Sequence, residues 1–247
     1  MLKLLSLETA TDRGSFCLWS GHAGAAGLTE QQVTTHHCPA GQPHAETLLP
    51  LLRSALATAS WTLNDLDAIV FDAGPGMFTG LRVAAALAQG MAVACDKPVV
   101  AVSSLEALAE SAYQASGETQ VLTLLDARMK QIYAAAWQRE DDSTWSAVLA
   151  PCLVNPDALD HLPAMSAPGC WAVAGTALDE YPDAAAWCRA TGMKDTRVRH
   201  PAAGALARVG AVRFYRGEQQ DPADAIPVYV RDRVALTTAE RLAGQQL

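Results

Sequence analysis

The strongest constraint on how this chain can fold is a pattern that occurs twice, once in each half. A short apolar run ends in a carboxylate, a polar turn follows, and a second apolar run ends in a tryptophan. The first copy runs from Glu8 to Trp19 and the second from Asp126 to Trp137, with a separation of 11 residues in each. Two apolar runs joined by a short polar turn predict a β-hairpin in each half.

The match extends to a later strand in each half. Residues 69–71 form an apolar run that leads into Gly74, and residues 171–174 lead into Gly175. Because two matched units occur in the same order in both halves, the sequence predicts a duplicated α/β architecture. We divide the chain into a first lobe, a more variable second lobe rich in loops, and a tail that packs back or is partly disordered: residues 1–102, 103–226 and 227–247.

Apolar periodicity predicts the helices. The main ones are expected over residues 44–57, 81–95, 103–115 and 202–216. Pro50 would lie in the first turns of the first of these, so we expect that helix to begin near Glu46 or Thr47. The last helix is predicted to be amphipathic, with three arginines on its solvent side: Arg208, Arg213 and Arg216. Residues 138–170 are rich in polar residues and are predicted to form loops.

Composition and charge exclude several classes of protein. The chain has 18 basic and 26 acidic residues, a net charge of −8. Such a surface repels phosphates, so we expect no tight binding of nucleic acid without a partner. No stretch approaches about 18 uninterrupted apolar residues, so we predict no membrane span. The first apolar run is too short for a signal peptide and the six cysteines are scattered, which favours reduced thiols in the cytoplasm.

Residues 74–82 read Gly-Pro-Gly-Met-Phe-Thr-Gly-Leu-Arg and are the most specific motif. A glycine turn between a strand and a helix can present N–H groups to an anion. The loop lacks the Gly-Lys-Ser/Thr ending of a phosphate-binding P-loop and the spacing of a dinucleotide site. Two interpretations stay open here: the glycines bind an anion, or they only allow the turn to close.

This loop resembles the signature of the bacterial TsaB (YeaZ) family, with Met77 where serine is usual. The opening Leu-Ser-Leu-Glu-Thr-Ala is similar to the first strand and turn of that family, with Glu8 where aspartate is usual. Other similar segments lie at residues 44–50, 102–109, 125–128 and 227–231, and the weakest stretch is 138–199. The resemblance therefore covers nearly the whole chain.

The resemblance implies an actin/Hsp70-like fold, in which two lobes each contain a mixed sheet flanked by helices. It implies a role in making threonylcarbamoyladenosine next to the tRNA anticodon, as a non-catalytic subunit that binds and activates the paralogous catalytic subunit TsaD together with the ATPase TsaE. It further implies a homodimer when the partner is missing, contact with tRNA only through the complex, and no cofactor of its own; ATP or ADP at the interface of the complex stays open.

No catalytic residue and no metal site are predicted. The catalytic paralogue has a His-x-x-x-His pair at the start of a helix, whereas the matching stretch here has His44 with Leu48 four residues later. One imidazole cannot hold a metal in the way that such a helix requires. His36 and His37 are adjacent on a predicted strand and point to opposite faces.

The two carboxylates at equivalent turns, Glu8 and Asp126, are compatible with a nucleotide-binding site. In nucleotide-binding members of the superfamily such residues flank the phosphates and Mg²⁺. The second loop, which begins at Gly175, contains few glycines, so the predicted cleft is degenerate. The residues predicted for it are Glu8, Thr9, Gly74, Gly76 and Asp126. An ATP- and Mg²⁺-dependent ATPase or kinase that uses Glu8 and Asp126 is therefore the rival hypothesis, with a zinc peptidase as a third class. In the simpler interpretation, Asp126 only pairs with Arg128 or forms the turn.

Two predicted helices, 44–57 and 81–95, contain alanine and leucine with little charge. Helices so apolar need cover on more than one side, so we expect one side to contact the sheet and the other a partner. The predicted contact residues are His44, Leu48, Leu52, Arg82, Ala85, Ala86 and Gln89.

Overall fold

The computed structural model describes residues 1–25, 27–162 and 170–231. The first sheet contains β1 (Leu2–Glu8), β2 (Ser15–Gly24), β3 (Gly27–His37), β4 (Ala68–Gly74) and β5 (Val99–Ser103). Its strand order is β3-β2-β1-β4-β5. The hairpin pairs β1–β2 and β2–β3 are antiparallel, whereas β1–β4 and β4–β5 are parallel.

The second sheet repeats this plan. Its strands are β6 (Gln120–Asp126), β7 (Ile132–Arg139), β8 (Trp145–Val154), β9 (Ala172–Ala174) and β10 (Lys194–Asp195). The order β8-β7-β6-β9-β10, again with two antiparallel and two parallel pairs, matches the first sheet strand for strand. The predicted duplication of a mixed sheet is therefore confirmed.

The helices lie in three layers, which alternate with the two sheets. Their bounds are α1 (His44–Ala59), α2 (Phe78–Cys95), α3 (Ser104–Ser116), α4 (Ala177–Glu180), α5 (Pro182–Ala190) and α6 (Ala203–Tyr215). Helices α1 and α2 cover the outer face of the first sheet. Helices α3 and α6 lie between the two sheets, and α4 and α5 cover the outer face of the second sheet.

Strand alternation explains why both faces of the first sheet are buried. Leu5 and Leu7 of β1 pack under α1 and α2, whereas Leu4 packs between the sheets. Neighbouring β2 behaves likewise, with Phe16 on the outer side and Trp19 on the inner side. Each fully buried side chain of this size stabilises the fold by about 1.5 to 3 kcal/mol, so the first sheet is held from both sides.

The predicted start of α1 near Glu46 or Thr47 is wrong, because the helix begins at His44. The carbonyl of Pro43 accepts hydrogen bonds from the amides of Glu46 at 3.1 Å and Thr47 at 3.3 Å. The first turn therefore forms before Pro50, which lies inside the helix.

Two further expectations need correction. The stretch predicted as loops, 138–170, contains the ten-residue strand β8. Helix α6 is more deeply buried than predicted, because it packs between the sheets. Its arginines do lie on its more open side, where Arg216 is exposed and the half-buried Arg208 and Arg213 pair with carboxylates. Arg208 pairs with Glu30 at 2.9 Å, and the guanidinium of Arg213 pairs with the buried Glu106 at 2.5 Å.

Helix α2 is long and apolar enough to cross a membrane by length and composition, with a mean hydropathy of 1.4. One side of it packs on the first sheet through Ala84, Ala88 and Ala92. Such packing is typical of a helix that covers a sheet. After α6 the chain returns to this region: residues 226–231 run past the start of α2, and the rest of the predicted tail, 232–247, lies outside the described residues.

Candidate functional site

The equivalent turns of the two halves meet around a cleft of about 360 Å³. The β1–β2 turn and the start of α2 form one wall, and the β6–β7 turn and the start of α4 form the other. The lining residues are Ala10, Thr11, Asp12, Gly76, Met77, Leu125, Asp126, Ala127, Arg128, Tyr133, Thr176, Asp179, Glu180 and His200. The repeat found in the sequence thus generates a site between its two copies.

Of the five residues predicted for the cleft, Gly76 and Asp126 line it. Glu8, Thr9 and Gly74 lie behind its wall in the buried interior. The Thr9 hydroxyl donates to the carbonyl of Gly80 at 2.7 Å and so holds the first turn against α2. The residues that follow Glu8, rather than its carboxylate, therefore face the cleft.

Glu8 instead forms a buried pair with Asp72, a residue that the sequence did not single out. Oε1 of Glu8 accepts from the Ala10 amide at 2.8 Å, and Oδ1 of Asp72 accepts from the Gly74 amide at 2.8 Å and from the Ser104 hydroxyl. Burial, and then the Asp72 charge, raises the pKa of Glu8 well above its usual value. Burial also raises the pKa of Asp72 to about 6. A signal for Asp72 existed: it is an acid at the end of an apolar strand, two residues before Gly74.

Oδ2 of Asp72 has no hydrogen-bond partner within the described residues, and Glu8 is the neighbouring acid. Two adjacent buried carboxyls favour a state in which at least one keeps its proton, because ionising both without water is costly. The pair lies beneath both the Ala10 turn and the Gly74 turn, so it supports the first wall of the cleft.

Asp126 is held by several contacts in the opposite wall. Its Oδ1 accepts from the Tyr181 hydroxyl at 2.7 Å and from the Arg128 amide at 2.8 Å, and its Oδ2 pairs with the Arg128 guanidinium at 3.1 Å. The amide of Asp126 donates to Thr176 Oγ1 at 2.9 Å. Asp126 thus forms the ion pair and the turn that the simpler interpretation of the sequence expected.

The electrostatic character of the cleft is acidic. Four carboxylates line it, Asp12, Asp126, Asp179 and Glu180, against the cation of Arg128. This arrangement repels an anion such as a triphosphate unless a cation accompanies it. Within residues 1–25, 27–162 and 170–231, no group of three or more His, Cys, Asp or Glu side chains is arranged to hold a metal ion.

His44, predicted at a partner interface, is buried and supports the first wall of the cleft. Its Nε2 lies 2.9 Å from the carbonyl of Thr11, so Nε2 carries the proton and donates it. A Cβ at Gly14 would lie 2.6 Å from the His44 ring, so only glycine leaves room for the imidazole. His44 therefore ties the start of α1 to the β1–β2 turn.

The other residues predicted for the interface fall into two groups. Leu48, Leu52 and Ala85 are buried under α1 and α2 in the core of the chain itself and present no free surface, because they form the inner stripe of those helices. Arg82, Ala86 and Gln89 are exposed on α2.

Three apolar side chains outside the predicted interface set are also exposed, two on α2 and one on α1. Val93 is 66% exposed, Phe78 is 43% exposed and Leu49 is 42% exposed. The Arg82 guanidinium covers the Phe78 ring at 3.9 Å. The signal for these residues was their position off the buried stripe of an apolar helix.

Two mixed sheets of equal topology, with a cleft between their paired turns, define the actin/Hsp70-like class of proteins. The family model described as TsaD: tRNA N6-adenosine threonylcarbamoyltransferase matches residues 31–236. The tRNA threonylcarbamoyladenosine biosynthesis protein TsaB of Escherichia coli (strain K12) is 30% identical over 95% of this chain and 96% of its own length. The chain belongs to the TsaB (YeaZ) family, as its resemblance predicted.

Two further comparisons agree with this assignment. The structure of YeaZ from Pseudomonas aeruginosa superimposes with a TM-score of 0.76 at 31% identity, covering 93% of this chain and all of that one. A tRNA N6-adenosine threonylcarbamoyltransferase of Thermococcus gammatolerans is 38% identical over 114 residues, which are 42% of this chain and 35% of that protein. The chain is thus similar to part of a transferase and to nearly the full length of the Escherichia coli TsaB protein.

Proposed function

We propose that the chain acts in the biosynthesis of tRNA threonylcarbamoyladenosine as a non-catalytic subunit. It binds and activates the paralogous catalytic subunit TsaD together with the ATPase TsaE. ATP or ADP is held at the interface of that complex, tRNA is reached only through the complex, and the site of action is the cytoplasm. Family membership and one observation, the exposed apolar face of α1 and α2, support this proposal.

That face is unusual for a surface that meets only water. Helix α2 contains one charged residue, Arg82, in 18 residues. Its inner side packs on the sheet, whereas Val93 and Phe78 on its outer side are exposed, and Leu49 of α1 is exposed as well. Contiguous exposed apolar surface marks a site of protein association.

Small side chains make this face suitable for a helix. Ala86 and Gly90 are exposed on α2, and no described atom lies within 4 Å of a Cβ built at Gly90. Such residues let a partner helix approach closely, because the distance between packed helices depends on the side chains at the contact. The same face would serve a second copy of the chain, so homodimer and TsaD complex should compete.

The cleft supports a non-catalytic role. Glu8, the carboxylate expected beside Mg²⁺, is buried beneath the wall, and Asp126 is engaged by Tyr181, Arg128 and Thr176. Three further carboxylates line the cleft, Asp12, Asp179 and Glu180, and their charge disfavours a phosphate.

A charge on the exposed face tests the proposal. Ala86→Asp should weaken binding to TsaD by at least about tenfold, since an unpaired carboxylate would be buried at the contact. Ala85 is a poor position for this test, because it is 5% exposed and a charge there would unfold the helix. The matched control is Ala186→Asp, an exposed alanine on α5 in the second lobe.

Binding is measured by calorimetry with purified TsaD, and threonylcarbamoylation of tRNA is measured with TsaD, TsaE and each variant. Loss of binding and modification with Ala86→Asp, but not with Ala186→Asp, supports the proposal. Equal binding of the two variants would show that α2 is not the docking face.

The rival function is an ATPase or kinase. The observation that favours it is the cleft lined by Gly76 and Asp126. Calorimetry of the purified chain with ATP and Mg²⁺ separates the two. Glu8 is a poor target because its replacement acts on a buried pair, so Asp126→Asn is the variant of choice. Turnover by the chain alone that is lost in Asp126→Asn would favour the rival, whereas no turnover supports the scaffold.

A further inference from the structure

The β6–β7 turn has an unusual backbone. Three consecutive residues that are not glycine adopt the left-handed region: Arg128 with φ 60°, Met129 with φ 55° and Lys130 with φ 57°. Side chains other than glycine clash with the backbone in this region, so each such residue is strained. Surrounding contacts must hold a turn of three in this conformation.

Part of the support is local. The Ala127 amide donates to the carbonyl of Gln131 at 2.9 Å, and the Gln131 amide donates to the carbonyl of Arg128 at 3.1 Å. Asp126 accepts from the Arg128 amide at 2.8 Å. These contacts close the turn but do not use the carbonyl oxygen of Ala127, which can accept from a donor elsewhere in the chain.

A distant arginine supplies that donor. Nη2 of Arg231 lies 3.0 Å from the carbonyl oxygen of Ala127 and 3.3 Å from that of Arg128, and its Nη1 contacts the sulfur of Met129 at 2.6 Å. One guanidinium thus contacts three successive residues of the strained turn. The Nη2 amino group suits this task because its two N–H bonds can donate to both carbonyls at once.

The segment that carries Arg231, residues 226–231, is here named the tail strap. Its Val228 amide donates to the carbonyl of Ala73 at 2.7 Å. The Val228 carbonyl oxygen would lie 3.0 Å from a Cβ at Gly74, whose φ is 98°, so glycine is required where the strap crosses the loop. Val228 thereby attaches the strap to the end of β4 in the first lobe.

The strap also contacts the start of α2. The Tyr229 ring lies 5.5 Å from the Phe78 ring, and the Tyr229 hydroxyl accepts from Nε of Arg82 at 3.4 Å. The strap therefore joins two surfaces: the exposed face of α2, and the β6–β7 turn whose Ala127 and Arg128 line the cleft.

We propose that the tail strap is a latch, in which Arg231 holds the left-handed turn that forms one wall of the cleft and Tyr229 ties that turn to helix α2. Arg231 is a positioning residue. A molecule that displaces Tyr229 from α2 loosens the turn, and one that fills the cleft against the turn steadies the strap. All parts of the latch lie in this chain, so it stands or falls independently of the proposed function.

Hydrogen exchange of the purified chain tests the latch. Arg231→Ala should speed exchange in a peptide that covers residues 126–132 by about tenfold, because the turn loses its external donors. Exchange in β1 should stay the same. The matched control, Arg216→Ala, removes an exposed arginine at the end of α6 and should leave the turn unchanged. Unchanged exchange in the turn of Arg231→Ala, or equal acceleration in β1, would overturn the latch.

A rescue experiment separates a latch from a general loss of packing. Lys130 is exposed, and Lys130→Gly removes the strain at that residue. In this background Arg231→Ala should speed exchange in the turn by less than about threefold. The control background is Asp96→Gly, which relieves a left-handed residue at the end of α2 and should keep the full tenfold effect. A full effect in the Lys130→Gly background contradicts the proposal.

The tie to α2 has its own test. Tyr229→Ala leaves Arg231 in place and should still speed exchange at residues 126–132 by at least about threefold, since the strap loses its anchor. Tyr215→Ala, which removes an exposed tyrosine from the end of α6, serves as the control. If Tyr229→Ala leaves the turn as protected as in the parent chain, coupling between α2 and the cleft is ruled out.

Discussion

At the scale of single residues, the buried carboxyls of Glu8 and Asp72 dominate the interior beneath the cleft. Burial raises the pKa of both, that of Asp72 to about 6, whereas in the unfolded chain they titrate near 4. Between these values the native state binds more protons than the unfolded state. The free energy of unfolding therefore falls as the pH rises from about 4 through the native pKa of each group.

Glu8→Gln removes one of these titrations and keeps a donor toward Asp72. Relative to the variant, the parent chain should lose about 1 to 3 kcal/mol of unfolding free energy between pH 5 and pH 8. Urea denaturation of both proteins at pH 5, 6.5 and 8 measures this difference. Burial also raises the pKa of Glu106 to about 7, but that contribution is common to both proteins and cancels.

The matched control is Glu46→Gln, which replaces an exposed carboxylate in the first turn of α1. A difference between parent and Glu8→Gln that stays constant across the three pH values would show that Glu8 does not hold a proton in the native state.

The sequence located Glu8 and Asp126 at equivalent turns but could not give their depth. The two positions differ because of their surroundings: Glu8 is fully buried beside Asp72 of β4, whereas Asp126 lines the cleft. The sequence does not reveal the burial of Asp72 beside Glu8 for the same reason. A pattern along one strand does not show which residues of neighbouring strands converge at the end of a sheet.

At the scale of elements, most strands and helices followed from periodicity and turn residues. Strand β8 did not, because its pairing with β7 has register shifts near Ala134 and Ala136 that break the alternation. Helix α6 is buried more deeply than its three arginines indicate. The chain satisfies Arg208 and Arg213 with Glu30 and Glu106, and these partners are distant in sequence.

Two glycines of α2 give a matched test of how that helix is seated. A Cβ at Gly80 would lie 1.9 Å from the carbonyl oxygen of Thr9, so Gly80→Ala forces the helix from the turn and should cost about 2 to 3 kcal/mol. Gly90→Ala meets no described atom within 4 Å and should stabilise by about 0.5 to 1 kcal/mol. Thermal and urea unfolding measure both. Equal effects of the two substitutions would contradict this packing.

At the scale of the whole molecule, the two lobes that the repeat predicted share one core. Trp19 of the first sheet, Trp137 of the second and Leu206 of α6 belong to the same buried cluster. Repeats in a sequence can reveal two copies of a unit, but they do not show how the copies pack. Because α3 and α6 are buried between the sheets, we expect the two lobes to unfold as one cooperative body.

Substitutions in different layers test this cooperativity. Leu206→Ala, between the sheets, and Leu122→Ala, on the outer face of the second sheet, each remove a fully buried side chain and should cost about 3 kcal/mol. Hydrogen exchange of the slowest amides in β1 and β6 should accelerate by the same factor in both variants, because these amides exchange through global unfolding. Acceleration confined to β6 in Leu122→Ala would instead mean that the second lobe opens alone. The shared core predicts that it does not, since opening that lobe would expose the inner face of the first.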